Sequence, residues 1–365
     1  MSLNFIVSLV FLGLLSLSGN AFAQTQEEYD PLKERLILPV AEIPNYREEM
    51  RNMLITLSEH AKKQSPKFIM AVKGGENLLY RGDWEDVHAE LSRAQKYNAK
   101  TPEEIFIINL FAEQSDSQKV GSAARRFARN LDGIILENRY CNDRPFAADA
   151  IKAIKDFNLT VMGEEICPPG KLSVIENLAA SHAVPLYTAP VPEIAFKTIP
   201  SDPPFMENAA NINELKDARN ILIVTDTSGF SSKKSFINQL KQTNHDILVI
   251  EPFFQNKTLL TADEIHSLKF KKNGAKRLVL SSFKVATVKD TDFLWRQNWK
   301  LQNPFWLRKI SDDDESAIVV EYWNPEWQRI IGQYFNSIVF SGFDGAIAED
   351  LNRHLEFEEL TPIDY

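Results

Sequence analysis

Charged side chains punctuate the ends of short apolar runs in this chain. Glu137 closes Gly133-Ile134-Ile135-Leu136, Glu164 and Glu165 close Val161-Met162-Gly163, and Glu251 closes Ile247-Leu248-Val249-Ile250. Asp226 follows Ile221-Leu222-Ile223-Val224-Thr225, and Glu349 with Asp350 follows Ala346-Ile347-Ala348. Lys73 and Lys284 hold the same place after two further runs. Carboxyls gathered in this way can share acid–base work when one keeps its proton and another is ionised. Crowding favours that division, because like charges push some pKa values up toward neutrality. Each residue also has a structural reading. Glu251 can pair with Lys284, Asp350 can cap a helix beside Glu349, and Glu137 and Glu164 can be solvated or paired rim acids. The six histidines are scattered without ligand spacing, so no metal is expected. No glycine-rich dinucleotide or phosphate fingerprint follows any run, so no nucleotide cofactor is expected.

The elements that must position these groups read as repeated βα units. Strands are expected at Lys67–Val72, Leu131–Glu137, Leu159–Glu165, Val184–Thr188, Asn220–Asp226, Asp246–Glu251, Lys276–Phe283 and Phe343–Ala348. Several of these runs are apolar throughout, as strands buried on both faces should be. Met50, Leu54, Leu57 and Ala61 share one face of a helix over 46–63. Further helices are expected near 118–130, 146–156, 171–181, 206–217, 232–242, 262–271 and 325–341. Thr261 with Glu264 forms a capping box, and Pro325 suits a first helical turn. Residues 80–117 form a long insertion with a possible extra strand at Glu104–Phe111. Eight strands with eight helices favour a closed (β/α)₈ TIM barrel, a single domain over 24–365, over the rival doubly wound open sheet. The order is unusual: a helix comes first, and a strand comes almost last.

The apolar run Phe5–Leu17 followed by Ala21-Phe22-Ala23 reads as a signal peptide over residues 1–23. An uncleaved N-terminal anchor is the alternative. The expected location is therefore periplasmic or secreted. The net charge of −9 argues against nucleic acid and tolerates a neutral or cationic ligand. Cys141 and Cys167 fall on the exit loops of adjacent expected strands, about 4.8 Å apart, so a disulfide is expected. Two free buried thiols are the alternative.

One segment is distinctive: Tyr322-Trp323-Asn324-Pro325-Glu326-Trp327-Gln328-Arg329-Ile330-Ile331, then Gly342-Phe343-Asp344-Gly345. It resembles glycoside hydrolase family 114, the endo-α-1,4-polygalactosaminidase family. Asn220 to Ile223, Thr243 to Leu248, Leu259 to Thr261 and Leu268 to Val279 fit the same pattern. Tyr46 to Ala61, Pro66 to Ile69, Leu131 to Ile134 and Glu137 also look like the family, but like elements that normally follow its GFDG turn. The resemblance thus covers nearly the whole chain after the leader with its halves exchanged, as in a circularly permuted barrel. Members have also been labelled as related to cysteinyl-tRNA synthetase. The chain has no HIGH or KMSKS-like pair on a nucleotide-binding fold, and Ser231–Ser235 is only a lysine-rich turn.

The resemblance implies an exported hydrolase of an α-1,4-galactosamine-type polysaccharide, with acid–base carboxylates at the C-terminal ends of the barrel strands. Its catalytic positions fall on Glu251 and Glu349, each one methylene longer than the family's aspartate. The family's GEAE turn falls on Ala286-Thr287-Val288-Lys289, so its presumed catalytic glutamate is Thr287 here, and its polar QN pair is Lys73-Gly74. Lys73, Glu137, Glu164, Asp226, Lys284, Tyr322 and Trp323 are the candidate substrate-binding residues, the last two as sugar-stacking rings. Trp327 is expected in the core, and Asp344 in a structural turn. Two alternatives stand beside this reading: a catalytically inactive carbohydrate-binding or envelope-scaffold pseudoenzyme, and a hydrolase of changed chemistry using Glu164 or Glu165.

Overall fold

The computed structural model describes residues 40–98, 101, 103–104, 123–145, 147–361 and 363. The expected leader lies outside the described residues, as does the expected strand at Glu104–Phe111 apart from Glu104.

Eight strands make one parallel sheet: β1 (Ile69–Lys73), β2 (Gly133–Glu137), β3 (Thr160–Ile166), β4 (Leu186–Ala189), β5 (Ile221–Val224), β6 (Ile247–Ile250), β7 (Leu278–Lys284) and β8 (Gly345–Glu349). Their order is β4-β3-β2-β1-β8-β7-β6-β5, and the parallel bridge between Leu186 and Asn220 brings β4 to β5. The chain therefore runs once around a nearly closed (β/α)₈ barrel, and its last strand pairs with its first through Ile69–Gly345 to Val72–Ala348. All eight expected strands are present, with ends displaced by at most two residues. Their runs are buried because helices cover one face and the barrel interior the other.

Helices α1 (Tyr46–Gln64), α2 (Asp83–Lys96), α3 (Ala123–Asn130), α4 (Ala148–Asp156), α5 (Pro169–Ser181), α6 (Lys233–Lys241), α7 (Ala262–Leu268), α8 (Pro325–Phe340) and α9 (Arg353–Leu360) lie outside the strands. The helix-first order is real: α1 packs on α3, α8 and α9 and closes the outer layer beside the seam between β1 and β8. Its apolar face buries Met50, Leu54, Leu57 and Ala61 as the spacing requires. The Asn45 side chain accepts the Glu48 N–H at 3.1 Å and starts the helix. Thr261 and Glu264 exchange the two bonds of the capping box at the head of α7.

Two expectations are corrected. Residues 206–217 are not an α-helix; only a short 3-10 turn at Leu215–Asp217 forms there. The asparagines take the backbone's place: Asn208 Oδ1 accepts the Ala210 N–H, Asn211 Oδ1 accepts the Lys276 N–H, and the Lys271 ammonium gathers the Asn208 and Ala210 carbonyls. The chain also continues past β8 into α9. A small antiparallel sheet (287–289, 317–320 and 307–310), unforeseen in the sequence, lies between β7 and α8.

The N-terminal end of the barrel is tied by aspartates that precede strands. Asp132 accepts the Met70 N–H at 2.8 Å, Asp246 the Arg219 N–H at 2.7 Å, and Asp344 the Val279 N–H at 2.9 Å. Asp344 also pairs with Lys269 at 2.7 Å, which fulfils its expected structural role. The glycine that follows is required by closure, because a Cβ on Gly345 would meet the Ile69 carbonyl oxygen at 2.3 Å. On the outer layer the fully buried Arg51 of α1 binds Glu85 of α2 through two bonds and the Leu78 carbonyl through a third. Removing one partner strands a buried charge. Glu85→Ala is expected to cost about 3–5 kcal/mol in urea unfolding, and Arg51→Met with Glu85→Leu to recover most of it; a Glu85→Ala variant as stable as wild type contradicts this account.

Candidate active site

The side chains at the C-terminal ends of the strands converge on a cavity of about 830 Å³. Lys73 from β1, Asp226 beyond β5, Glu251 beyond β6, Lys284 from β7 and Glu349 from β8 all line it. Five of the expected site residues, separated by up to 276 positions (349 − 73), are thereby brought together.

The Lys73 ammonium lies 3.0 Å from Glu164 and 3.5 Å from Glu137, and 4.9 Å from the centre of the Phe196 ring. Burial works against its charge, but Glu349, Glu164 and Glu137 outweigh burial and hold its pKa well above the lysine range. Glu164 and Glu137 therefore flank Lys73 rather than open separately onto the cavity. Burial pushes Glu164 up to about 7, with Lys73 opposing the rise. Glu165, on the other face of β3, accepts the N–H groups of Arg139, Tyr140 and Cys141 at 2.7, 2.9 and 2.9 Å. It shapes the loop after β2 and does not line this cavity, so it offers no acid to it. The same loop is fastened by the Cys141–Cys167 disulfide, with Cα atoms 5.9 Å apart, as expected.

Across the floor, Glu251 and Glu349 leave strands β6 and β8, and β7 runs between them. The Ser282 hydroxyl of β7 donates to Glu349 Oε1. Burial first, then Asp292 and Glu349, raise Glu251 to about 8, with Lys284 opposing them. Lys284 is pushed up despite its burial, because Asp350, Glu349, Asp292 and Glu251 surround it. Asp226 is more open: burial is outweighed by its hydrogen bond with Ser228 and by Lys197, so it lies below the ordinary aspartate value. Thr287, standing where the resemblance places a glutamate, donates its hydroxyl to Asp350. Burial keeps Asp350 above its ordinary pKa despite that bond and Lys284.

Sequence reading missed Asp292. It lines the cavity from the turn after residues 287–289, where its Oδ2 accepts the Lys289 N–H at 2.8 Å and its backbone N–H meets the Lys289 carbonyl. Burial raises its pKa against that bond and Lys284. The Lys289-Asp290-Thr291-Asp292 run carries a turn signal, but no strand or helix period aims a loop side chain. Tyr334, reaching the cavity from α8, was also missed.

Two expected stacking residues are corrected. Tyr322 is fully buried and donates its hydroxyl to the Tyr46 carbonyl at 2.8 Å. Trp323 packs between Tyr46 and Phe357, with ring centres at 5.0 and 4.6 Å, and does not line the cavity. Both rings anchor the start of α8 on α1 and α9. Trp327 is in the core as expected, with its indole N–H donating to the Val285 carbonyl at 2.8 Å.

The Glu251 carboxyl fixes a pH dependence. It titrates near 8 in the folded chain and near the ordinary 4.5 when unfolded, so the stability tied to its proton is fully present below about pH 4.5 and is lost as pH rises to about 8. Glu251→Gln should flatten that loss, gaining on the order of a few kcal/mol relative to wild type between pH 4.5 and 8.5. Urea midpoints at the two pH values read this directly; an unchanged difference contradicts the raised pKa.

No family model matches the chain. Parts of it are similar to proteins described only as uncharacterized. One, from Methanocaldococcus jannaschii, is 23% identical over 194 residues, 50% of this chain and 54% of that protein. Another, from Deinococcus radiodurans, is 24% identical over 109 residues, 30% of this chain and 34% of that protein. A third, from Thermotoga maritima, is 28% identical over 61 residues, 17% of this chain and 19% of that protein. The chain thus spans about half, or less, of the length of these curated relatives.

Proposed function

We propose that this protein is an exported glycoside hydrolase acting on an amino-sugar polysaccharide of the α-1,4-galactosamine type. The observation that carries the reading is the pair Glu251 and Glu349 on the floor of one large cavity at the C-terminal end of the barrel, where barrel enzymes keep their chemistry. Glu251, pushed up to about 8, keeps its proton at neutral pH and serves as the general acid. It passes that proton to the glycosidic oxygen as the bond to the anomeric carbon breaks, and a water molecule then adds to that carbon and gives up its proton to a carboxylate of the pair. Glu349 faces the positive charge that develops on the sugar, oriented by the Ser282 hydroxyl and close to Lys73. Lys73, Lys284 and Asp226 supply hydrogen bonds to sugar hydroxyls or amines around this pair. Export is supported by the Cys141–Cys167 disulfide, which persists in oxidising compartments. Among the described residues, no helix is long and apolar enough to cross a membrane.

A second reading rests on Thr287, whose hydroxyl stands where the resembled family has a glutamate: a barrel that binds the polysaccharide without cleaving it. Reducing-end release from partly deacetylated α-1,4-galactosaminogalactan distinguishes the two. The enzyme reading expects release by residues 24–365, reduced about 10²–10⁴-fold by Glu251→Gln or Glu349→Gln. Binding without release by wild type favours the pseudoenzyme.

A further inference from the structure

Two excursions leave the barrel on the same side of the cavity. After β6, residues Phe253–Phe254 pair with Thr258–Leu259 in a hairpin, whose tip residues Gln255 and Asn256 take left-handed backbone angles, φ 49° and 56°. Asparagine adopts that region more readily than most residues. After β7, the turn at 289–295 is closed by the Asp292 N–H to the Lys289 carbonyl and the Trp295 N–H to the Asp292 carbonyl. The two excursions meet. The Phe253 and Phe293 rings stack face to face with centres 4.0 Å apart and planes at 16°, and Asn256 Nδ2 lies 3.5 Å from Asp292 Oδ1.

Phe293 is anomalous in this wall. Phe253 is buried and backed by Tyr334 at 5.6 Å, whereas Phe293 is 55% exposed at the cavity edge. One face of the ring is fixed against Phe253, which leaves the opposite face toward solvent. A fixed aromatic face loses little conformational freedom on binding. Binding clefts join an apolar wall to a few placed polar groups, and beside Phe293 the cavity lining supplies Asp292, Asn256 and Gln255. A pyranose has the matching surfaces, with a C–H face on one side and hydroxyls around its edge.

We propose that Phe293 is the platform of a second sugar-binding position at the cavity mouth, taking the apolar face of a pyranose next to the one held at Glu251 and Glu349, with Asp292 and Asn256 bonding its edge. The proposal rests on the glycosidase reading and adds that the cleft takes a chain of sugars rather than a single residue. It also places recognition on the loop that follows the missing family turn.

The test uses residues 24–365 carrying Glu251→Gln, so that ligand is not consumed, and calorimetric titration with an α-1,4-linked galactosamine hexasaccharide and with free galactosamine. Adding Phe293→Ala is expected to weaken hexasaccharide binding about tenfold and leave the monosaccharide unchanged, whereas Phe293→Trp retains hexasaccharide affinity. Equal affinity of the Phe293→Ala protein for the hexasaccharide overturns the platform, and polymer cleavage by the wild type in parallel shows that the glycosidase reading survives. Neither hexasaccharide binding nor polymer cleavage overturns both. Circular dichroism of the Phe293→Ala protein confirms that any loss is not one of folding.

Discussion

The pairing of the first strand with the last is the contact on which the site depends. β1 and β8 are separated by almost the whole described chain, yet four consecutive residue pairs join them in parallel register. That register leaves Lys73 and Glu349 on adjacent strands at the same end of the barrel, and Glu349 is the leading charge that sustains the Lys73 ammonium against burial. Closure demands a glycine at 345, where any Cβ would strike the β1 backbone. It also demands an outer cover at the seam, which α1 supplies by packing on α8 and α9. The segment from α1 to β1 and the segment from α8 to α9 thus build the barrel's seam jointly.

The two ends of the barrel use carboxylates in opposite ways. At the N-terminal end, Asp132, Asp246 and Asp344 each accept a backbone N–H from a segment beside their own strand, and each also faces a lysine. Their hydrogen bonds are made within the protein, so they hold register. At the C-terminal end, Glu251, Glu349 and Asp292 share a cavity with Lys284, and burial with mutual repulsion outweighs the lysine at Glu251 and Asp292. An acid that keeps its proton near neutrality beside other acids is poised for proton transfer. Glu165 marks the boundary between these uses, because three backbone N–H groups consume a carboxylate that sits next in sequence to Glu164.

Much was legible in the order of residues. Eight apolar runs, seven of them closed by a charged residue, determined eight parallel strands and the end at which Lys73, Asp226, Glu251, Lys284 and Glu349 meet. Apolar periodicity determined α1, the Thr261 capping box determined the start of α7, and the spacing of exit loops foretold the Cys141–Cys167 bond. These signals are local: a strand's period, a cap or a short loop follows from neighbours in sequence. The segment 206–217 misled because its helical spacing competes with asparagines whose partners, Asp246 and Lys276, lie elsewhere in the chain.

Tertiary structure alone decided which charged and aromatic groups face the cavity. Tyr322 and Trp323 belong to a distinctive sequence segment, but burial against Tyr46 and Phe357 makes them anchors. Asp292 and Phe293 sit on a turn, where no repeat aims a side chain, and their direction comes from a hairpin on the neighbouring strand. The raised carboxyl of Glu251 likewise follows from burial and from charges 41 and 98 residues away (292 − 251 and 349 − 251). The sequence by itself determined the barrel and the ring of charges at its mouth, because strand pattern and strand ends are local properties. Only the folded chain decided which of those charges keep their protons and which rings line the cleft, because solvation and electrostatics depend on neighbours distant along the chain.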